Sequence, residues 1–154
     1  MKKIFLFLAF FTFASAEEGS VKVVYDLTTP DVEVFQQKIL SGVVANKAYY
    51  EGKLKELEVS VMIHGGSYKF FLKDLRNSEY KDDKKLSDVF SDLKKRIATM
   101  SDTYNVEFLI CKSGMKKHNI KDEDVVDFVK IVPNATIGLI NKQNEGFAYI
   151  PVRD

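Results

Sequence analysis

The sequence predicts an α/β sandwich built around a mostly parallel sheet, and three observations lead to this prediction. Short apolar segments rich in β-branched residues alternate along the chain with segments whose apolar residues recur at helical spacing. The first apolar segment, Val21–Leu27, is almost continuously β-forming, which is typical of a strand in the middle of a sheet. Strands that alternate with helices favour a parallel sheet with helical crossovers.

The first half of the chain begins with the strand Val21–Leu27. We expect a helix after it, with Thr28 or its neighbour as the N-cap and Pro30 in the first turn. Apolar residues at helical spacing extend this helix to about residue 50, and Gly52 lies just past its end. A second strand is predicted at 57–63.

The middle of the chain contains the most strongly amphipathic segment. A short helix is expected around 70–75, and the charged segment 77–85 is predicted to be a surface loop. Apolar residues then recur at helical spacing through 86–100, which predicts a helix that packs on the core. A third strand at 106–110 and a short helix around 113–118 follow.

The last part of the chain repeats the alternation. Residues 120–124 resemble a turn, and residues 128–132 form a fourth predicted strand that is stopped by Pro133. A helix is predicted over 135–144 and a fifth strand over 146–151, ended by its proline.

The N-terminus has the pattern of a secretory leader. Lys2 and Lys3 precede an apolar stretch at 4–13, and Ala14-Ser15-Ala16 is typical of a cleavage site. The stretch is shorter than the about 20 apolar residues of a spanning helix. We therefore expect a signal peptide over residues 1–16 with cleavage after Ala16, an exported or periplasmic protein, and one domain over residues 17–154. An uncleaved anchor is the alternative.

Charge and motifs limit the classes of function. Removing Lys2 and Lys3 would leave 21 basic against 22 acidic residues. This balance gives no electrostatic case for nucleic acid, and no later segment predicts stable membrane insertion after leader cleavage. The sequence has no Cys-x-x-Cys, no GxGxxG and no P-loop, and its two histidines and one cysteine are scattered. We therefore expect neither a cofactor nor a metal site.

Cys111 is the single cysteine, and it ends the predicted third strand. Lys112 and Ser113 follow it, and a basic segment continues to His118. Cations and helix N-terminal amides lower the pKa of a thiol, so this setting suits a reactive thiolate. The alternative is a buried, inert cysteine that closes a core strand.

His64 is a second candidate because it ends the second predicted strand and is followed by Gly65 and Gly66. The carboxyl ends of parallel strands meet at one edge of a sheet, where ligands bind. We therefore expect His64, Cys111 and Asn134 at the same edge, with His64 able to exchange a proton at the thiol. Two glycines permit a turn or the close approach of a ligand. A histidine that only bonds a nearby carbonyl is the alternative.

Four segments together resemble the DsrE/DsrF-like proteins. They are Ile63-His64-Gly65, Leu109-Ile110-Cys111, residues 119–124 and residues 145–151, and the resemblance covers about residues 21–151. It implies a three-layer α/β/α sandwich with a five-stranded sheet and a homo-oligomer, a trimer or a hexamer. It also implies sulfur relay, with Cys111 carrying sulfur as a persulfide. The leader and the sequence Lys112-Ser113-Gly114 depart from the family pattern.

These observations lead to one hypothesis and two alternatives. The hypothesis is an exported sulfur carrier, loosely a sulfurtransferase, that receives sulfur from and passes it to thiol-bearing partner proteins. Cys111 and His64 would carry the chemistry, and Lys112, Ser113, Gly65 and Gly66 would bind the substrate. The first alternative is an oligomeric module that binds a small ligand or a protein and in which Cys111 only packs. The second is a redox sensor that forms intermolecular disulfides.

Overall fold

The computed structural model describes residues 20–154 and contains a five-stranded sheet with helices on both faces. The strands are β1 (Val21–Leu27), β2 (Leu57–Ile63), β3 (Val106–Cys111), β4 (Lys130–Val132) and β5 (Ala148–Val152). Their order across the sheet is β4-β3-β2-β1-β5, and each pairing is parallel. The predicted α/β fold with a five-stranded sheet is confirmed. The predicted leader lies outside the described residues.

Within residues 20–154, five α-helices connect or cover the strands. They are α1 (Val32–Phe35), α2 (Gly42–Glu51), α3 (Lys84–Asp102), α4 (Lys112–Lys117) and α5 (Ala135–Asn144). A π-helical segment, Gln36–Ser41, joins α1 to α2 without a break. Gly65–Phe71 and Asp122–Asp124 form short 3₁₀ helices.

The two faces of the sheet have different packing. On the first face, aromatic rings from α1, the first 3₁₀ helix and β3 form a cluster: the Phe35 and Phe70 centroids are 4.4 Å apart, and those of Phe71 and Phe108 are 5.2 Å apart. On the other face, which we call the α5 face, α5 lies so close that a Cβ added at Gly138 would be 2.1 Å from Cε of Met62. Helix α5 therefore packs directly on this face of the sheet.

The α5 face carries the polar residues of the strands. Side chains alternate between faces along a strand, so Ser60 and His64 share the face of Met62. Asp26 and Leu109 are paired with Met62 on the neighbouring strands and share it as well. Because the strands are parallel, their carboxyl ends lie at one edge of the sheet.

Glu107 forms a polar clamp that holds α5 to the sheet. Its carboxylate accepts hydrogen bonds from the Ser60 hydroxyl of β2 at 2.5 Å and from the Lys130 ammonium of β4 at 2.7 Å. The ammonium of Lys142, which lies on α5, is 2.6 Å from the same carboxylate. We call these four residues the Glu107 clamp. It joins β2, β4 and α5 to β3 through one side chain.

The start of the first helix differs from the prediction. Asp31 is the N-cap, since its Oδ1 accepts a hydrogen bond from the Val34 amide at 2.8 Å. Pro30 lies before the cap and not in the first turn. The predicted Thr cap is wrong because Thr28 bonds the Val152 carbonyl and Thr29 bonds Asp154, which leaves Asp31 as the first side chain available to the helix.

The last two strands are also shifted from their predicted bounds. β4 is only Lys130–Val132, because the Val129 amide bonds the Val126 carbonyl in a turn that precedes it. β5 continues through Pro151 to Val152. Proline is tolerated there because β5 is an edge strand, where one side needs no amide donor.

Candidate functional site

The candidate site is centred on Cys111, which ends β3 and serves as the N-cap of α4. Its Sγ accepts a hydrogen bond from the Gly114 amide at 3.4 Å, and the Ser113 hydroxyl lies 3.3 Å from the same sulfur. An N-cap side chain normally satisfies one of the first amides of a helix, and here a sulfur does so. The predicted strand-to-helix position of the thiol agrees with this geometry.

A second helix also directs an amide at the thiol. Asn134 caps α5, because its Oδ1 accepts a hydrogen bond from the Ile137 amide at 2.9 Å. The Ala135 amide, at the first position of α5, is left to interact with the Cys111 sulfur. The N-terminus of a helix carries partial positive charge, which favours an anionic partner. Cys111 and Asn134 therefore meet at one edge of the sheet, where they were predicted.

Tyr68 covers the thiol from the 3₁₀ helix after β2. Its hydroxyl donates a hydrogen bond to the Cys111 carbonyl at 3.1 Å. The same hydroxyl also lowers the pKa of the Cys111 thiol. The ring lies directly over Gly114, where an added Cβ would fall 1.7 Å from the Tyr68 hydroxyl. Burial and the neighbouring Cys111 raise the pKa of Tyr68, so the phenol stays protonated as a donor. Gly114 is what allows this close approach.

The local donors decide the ionisation of Cys111. Burial alone would raise the pKa of the thiol, but hydrogen bonds from Ser113, the Gly114 amide, Tyr68 and the Ala135 amide outweigh it and lower the pKa. The residue is 6% exposed. The site therefore makes the thiol easier to ionise than a free cysteine, through amides and hydroxyls, and gives it limited access to solvent.

The basic residues near Cys111 in sequence point elsewhere. The Lys112 ammonium forms an ion pair with Asp122, and the His118 imidazole pairs with Glu79. Neither side chain is among the groups that lower the pKa of the thiol. The surrounding charge inferred from sequence is thus not a main cause of the lowered pKa, and a role of Lys112 in binding a substrate stays a prediction.

His64 lies at the same edge of the sheet but bonds Asp26. Its Nε2 is 2.5 Å from Oδ1 of Asp26, and the Tyr149 hydroxyl donates to Oδ2 at 2.6 Å. Arg153 extends the group, with Nη2 3.5 Å from the same carboxylate. Burial alone would raise the pKa of Asp26, but the bonds from His64 and Tyr149 and the charge of Arg153 lower it. The structure joins His64 to this carboxylate and shows no bond between His64 and Cys111 within the described residues.

Gly65 and Gly66 pack against the segment that follows β1. Gly65 has φ +63°, and a Cβ there would lie 3.2 Å from the Thr28 carbonyl oxygen. A Cβ at Gly66 would lie 2.8 Å from Cβ of Pro30. The glycines thus permit a tight turn at the end of β2. The space beside them is filled by protein, and their predicted part in substrate binding stays a prediction.

Sequence reasoning missed four residues around these groups, namely Tyr68, Asp26, Tyr149 and Arg153. The sequence does contain a signal for Asp26, because it is an acid inside an almost wholly apolar strand. In the structure Asp26 is only 4% exposed. A buried carboxylate requires partners, which is a reason to search for them. Tyr68 and Tyr149 had no comparable local signal, because tyrosines are common in buried apolar segments.

The described residues contain neither a metal-binding cluster nor a membrane-spanning helix. Among residues 20–154, no group of three or more His, Cys, Asp or Glu side chains is arranged to hold a metal ion. Within the same part of the chain, no helix has the length and apolar character required to cross a bilayer.

Three comparisons with known proteins bear on this geometry. The model of the DsrE/DsrF-like family matches residues 26–152. An uncharacterized protein of Aquifex aeolicus (strain VF5) is 33% identical over 154 residues; the match covers 98% of this chain, which spans only 64% of that relative. A solved structure of a protein of unknown function from Methanobacterium thermoautotrophicum is similar with a TM-score of 0.59 at 17% identity. That match covers 86% of this chain and 99% of the other, and it supports the fold alone.

Proposed function

Because this chain belongs to the DsrE/DsrF-like family, we propose that it is a sulfur carrier in which Cys111 holds sulfane sulfur as a persulfide. The family is associated with sulfur relay in general. The carrier role and the persulfide are our extension of that association to this chain. The protein would act as a relay between partner thiols more than as a turnover enzyme.

The observation that carries the proposal is the set of donors around the Cys111 sulfur. The thiolate is the nucleophile in sulfur exchange, and a thiol whose pKa is lowered supplies more of it at neutral pH. The amides of Gly114 and Ala135 and the Ser113 hydroxyl stabilise a negative charge at this position. The same donors suit a persulfide anion.

Sulfur loading can be written with balanced atoms. The Cys111 thiolate attacks the outer sulfur of a donor persulfide R–S–SH, a new S–S bond forms, and the donor S–S bond breaks. The electron pair leaves with R–S⁻, and Cys111–S–SH remains. Transfer to an acceptor thiolate is the same exchange in reverse, so neither step needs an external oxidant or reductant.

Intact mass measurement tests the proposal directly. The purified protein would be incubated with glutathione persulfide and weighed before and after treatment with a reductant. We expect a gain of one sulfur atom that the reductant removes and that Cys111→Ser lacks. Since the chain has a single cysteine, a loaded Cys111→Ser protein would refute the assignment.

A second candidate function is a binding module in which Cys111 only packs. Two observations favour it: Cys111 is 6% exposed, and an open groove of ≈ 430 Å³ lined by Tyr25, Tyr49 and Ile150 lies at the β5 edge of the sheet. Apolar grooves with few polar groups are typical of ligand sites. Absence of a sulfur adduct, together with slow alkylation of Cys111 in the folded protein, would favour this function.

We also propose export and self-association. A leader over residues 1–16 would direct the chain out of the cytoplasm, and N-terminal sequencing of protein recovered from the periplasm of a bacterial host should begin at Glu17. Ile137 and Ile140 of α5 are 42% and 50% exposed, which supports a homo-oligomer such as a trimer or a hexamer. Light scattering coupled to size-exclusion chromatography would measure the mass of the assembly, and a monomer would contradict the proposal.

A further inference from the structure

The group formed by Asp26, His64, Tyr149 and Arg153 is the most elaborate polar cluster at the edge that carries Cys111. Asp26 is 4% exposed and is bonded through both oxygens, to His64 Nε2 at 2.5 Å and to the Tyr149 hydroxyl at 2.6 Å. The Glu107 clamp holds α5 to the sheet, whereas the partners of Asp26 lie on β5 or directly after β2 and β5. Its histidine side chain is 28% exposed, so one end of the cluster is open to solvent.

Strand register places His64 beside Cys111. Ile63 of β2 is paired with Ile110 of β3, so the next residues, His64 and Cys111, stand level on adjacent parallel strands. Such strands are about 4.8 Å apart. His64 has an extended backbone, with φ −161° and ψ −174°, and continues the alternation of β2. Both side chains therefore project toward the α5 face, with His64 between Asp26 and the thiol.

The hydrogen bond to Asp26 determines which nitrogen of His64 can exchange protons. An ionised carboxylate only accepts hydrogen bonds, so Nε2–H is the donor and Nε2 is occupied. In the neutral imidazole, Nδ1 is then the nitrogen with an available lone pair. In the imidazolium form, Asp26 compensates the positive charge, and Nδ1 can donate its proton.

We propose that Asp26 is a positioning residue that fixes His64 in the Nε2–H tautomer, so that Nδ1 carries the proton that sulfur transfer at Cys111 requires. This inference rests on the proposed function. During loading, the departing donor thiolate R–S⁻ takes the proton from His64 Nδ1 and leaves as R–SH. During unloading, Nδ1 takes the proton of the acceptor R′–SH, and the resulting thiolate attacks the outer sulfur of Cys111–S–SH. Unloading thus leaves His64 protonated at Nδ1 again and Cys111 as the thiolate.

The charged groups around His64 are consistent with this proton exchange. Asp26 lies on β1, Tyr149 lies on β5 and Arg153 follows β5, whereas Cys111 ends β3, the strand paired with β2. Tyr149 and Arg153 bond Asp26 and so hold the carboxylate in the orientation that accepts from Nε2. Their positive and neutral donors keep Asp26 ionised beside His64.

The first test measures the tautomer in the unsubstituted protein, which avoids dependence on any variant. The chain has only two histidines, so ¹⁵N-histidine labelling gives two imidazole spin systems. The signals that remain in His118→Gln belong to His64. We expect neutral His64 as the Nε2–H tautomer. A neutral His64 with its proton on Nδ1 would overturn the proposal whatever the loading activity is.

The second test compares Asp26→Asn with Glu79→Gln, which alters the carboxylate–histidine pair at His118. The asparagine amide can donate to Nε2 and thus reverse the tautomer. We expect Asp26→Asn and His64→Gln to slow loading from glutathione persulfide about tenfold and to change its dependence on pH, while Glu79→Gln leaves both unchanged. Circular dichroism would verify folding.

The outcomes of the two proposals are separable. Loading that requires Cys111 but keeps its rate and pH profile in Asp26→Asn would overturn the proton role and leave the sulfur carrier intact. Absence of loading in the unsubstituted protein would overturn both.

Discussion

Replacing Glu107 by glutamine perturbs the clamp that holds α5, the helix that delivers the Ala135 amide to Cys111. Burial alone would raise the pKa of Glu107, but the bonds from Lys130, Lys142 and Ser60 outweigh it and lower the pKa from 4.5 to about 2. Because a tenfold change in proton affinity corresponds to about 1.4 kcal/mol, ionised Glu107 stabilises the fold by at most about 3.5 kcal/mol.

Partial exposure reduces this figure. The Glu107 side chain is 25% exposed, so solvent screens part of the attraction, and about 2 kcal/mol is a realistic value. Glutamine keeps the shape of the side chain and loses its charge. We expect Glu107→Gln to lower the free energy of unfolding by about 2 kcal/mol at neutral pH, with Lys142 losing its main partner.

The effect should depend on pH in one direction. A carboxyl whose pKa is lowered by folding stabilises the protein above its unfolded pKa, and the stabilisation is lost as the pH falls through the folded pKa. The difference in unfolding free energy between the two proteins should therefore be full above pH 4.5 and should shrink progressively toward pH 2. At the acidic end, protonated Glu107 and glutamine are nearly equivalent.

Urea unfolding followed by far-ultraviolet circular dichroism measures the difference, since the chain has no tryptophan. Glu123→Gln is a matched control because the Glu123 side chain is 71% exposed, and it should change the unfolding free energy by less than about 0.5 kcal/mol. A Glu107→Gln cost as small as the control, or one that is constant as the pH falls, would refute the reasoning.

Three further predictions concern the immediate surroundings of the thiol. Gly114→Ala would place a Cβ 1.7 Å from the Tyr68 hydroxyl, so we expect a loss of about 1 to 3 kcal/mol in thermal unfolding. Gly52→Ala, whose Cβ would be 3.4 Å from the nearest atom, is the control, and a stabilised Gly114→Ala would contradict this packing. Tyr68→Phe removes a donor, so the midpoint of the pH profile for Cys111 alkylation should move to higher pH; a move to lower pH would show that burial by the hydroxyl dominates. Ser113→Ala should move the same midpoint upward more than Lys112→Ala, and the reverse order would restore Lys112 as the main source of the lowered pKa.

Local patterns predicted most of the fold. The bounds of β1, β2 and α5 match their predicted ranges, because continuous β-forming runs and helical spacing are properties of neighbouring residues. The strand-to-helix position of Cys111 followed for the same reason. The start of β4 was less accurate because a turn closed by the Val129 amide precedes it. The end of β5 was also less accurate, since an edge strand tolerates a proline that would end an inner strand.

The partners of the thiol could not be predicted in the same way. Lysines adjacent to Cys111 in sequence were expected to surround it, but side chains radiate from the axis of α4 while its first amides point back at the cap. The Ala135 amide comes from another helix, and its approach depends on how α5 packs on the sheet. Likewise, Tyr149 reaches Asp26 only because β5 pairs with β1, an order that periodicity does not encode.

The pairing of β5 with β1 has a consequence for the order of folding. Asp26 and Tyr149 are separated by 123 residues, whereas β1, β2 and β3 are connected through successive neighbouring segments. Closing so long a loop costs more conformational entropy than forming the nearer contacts. We expect β5 to dock late, so that a partly folded chain contains Cys111 at the end of β3 before it contains the hydrogen bonds of Asp26. Hydrogen exchange of the β5 amides would then report the last cooperative step of folding.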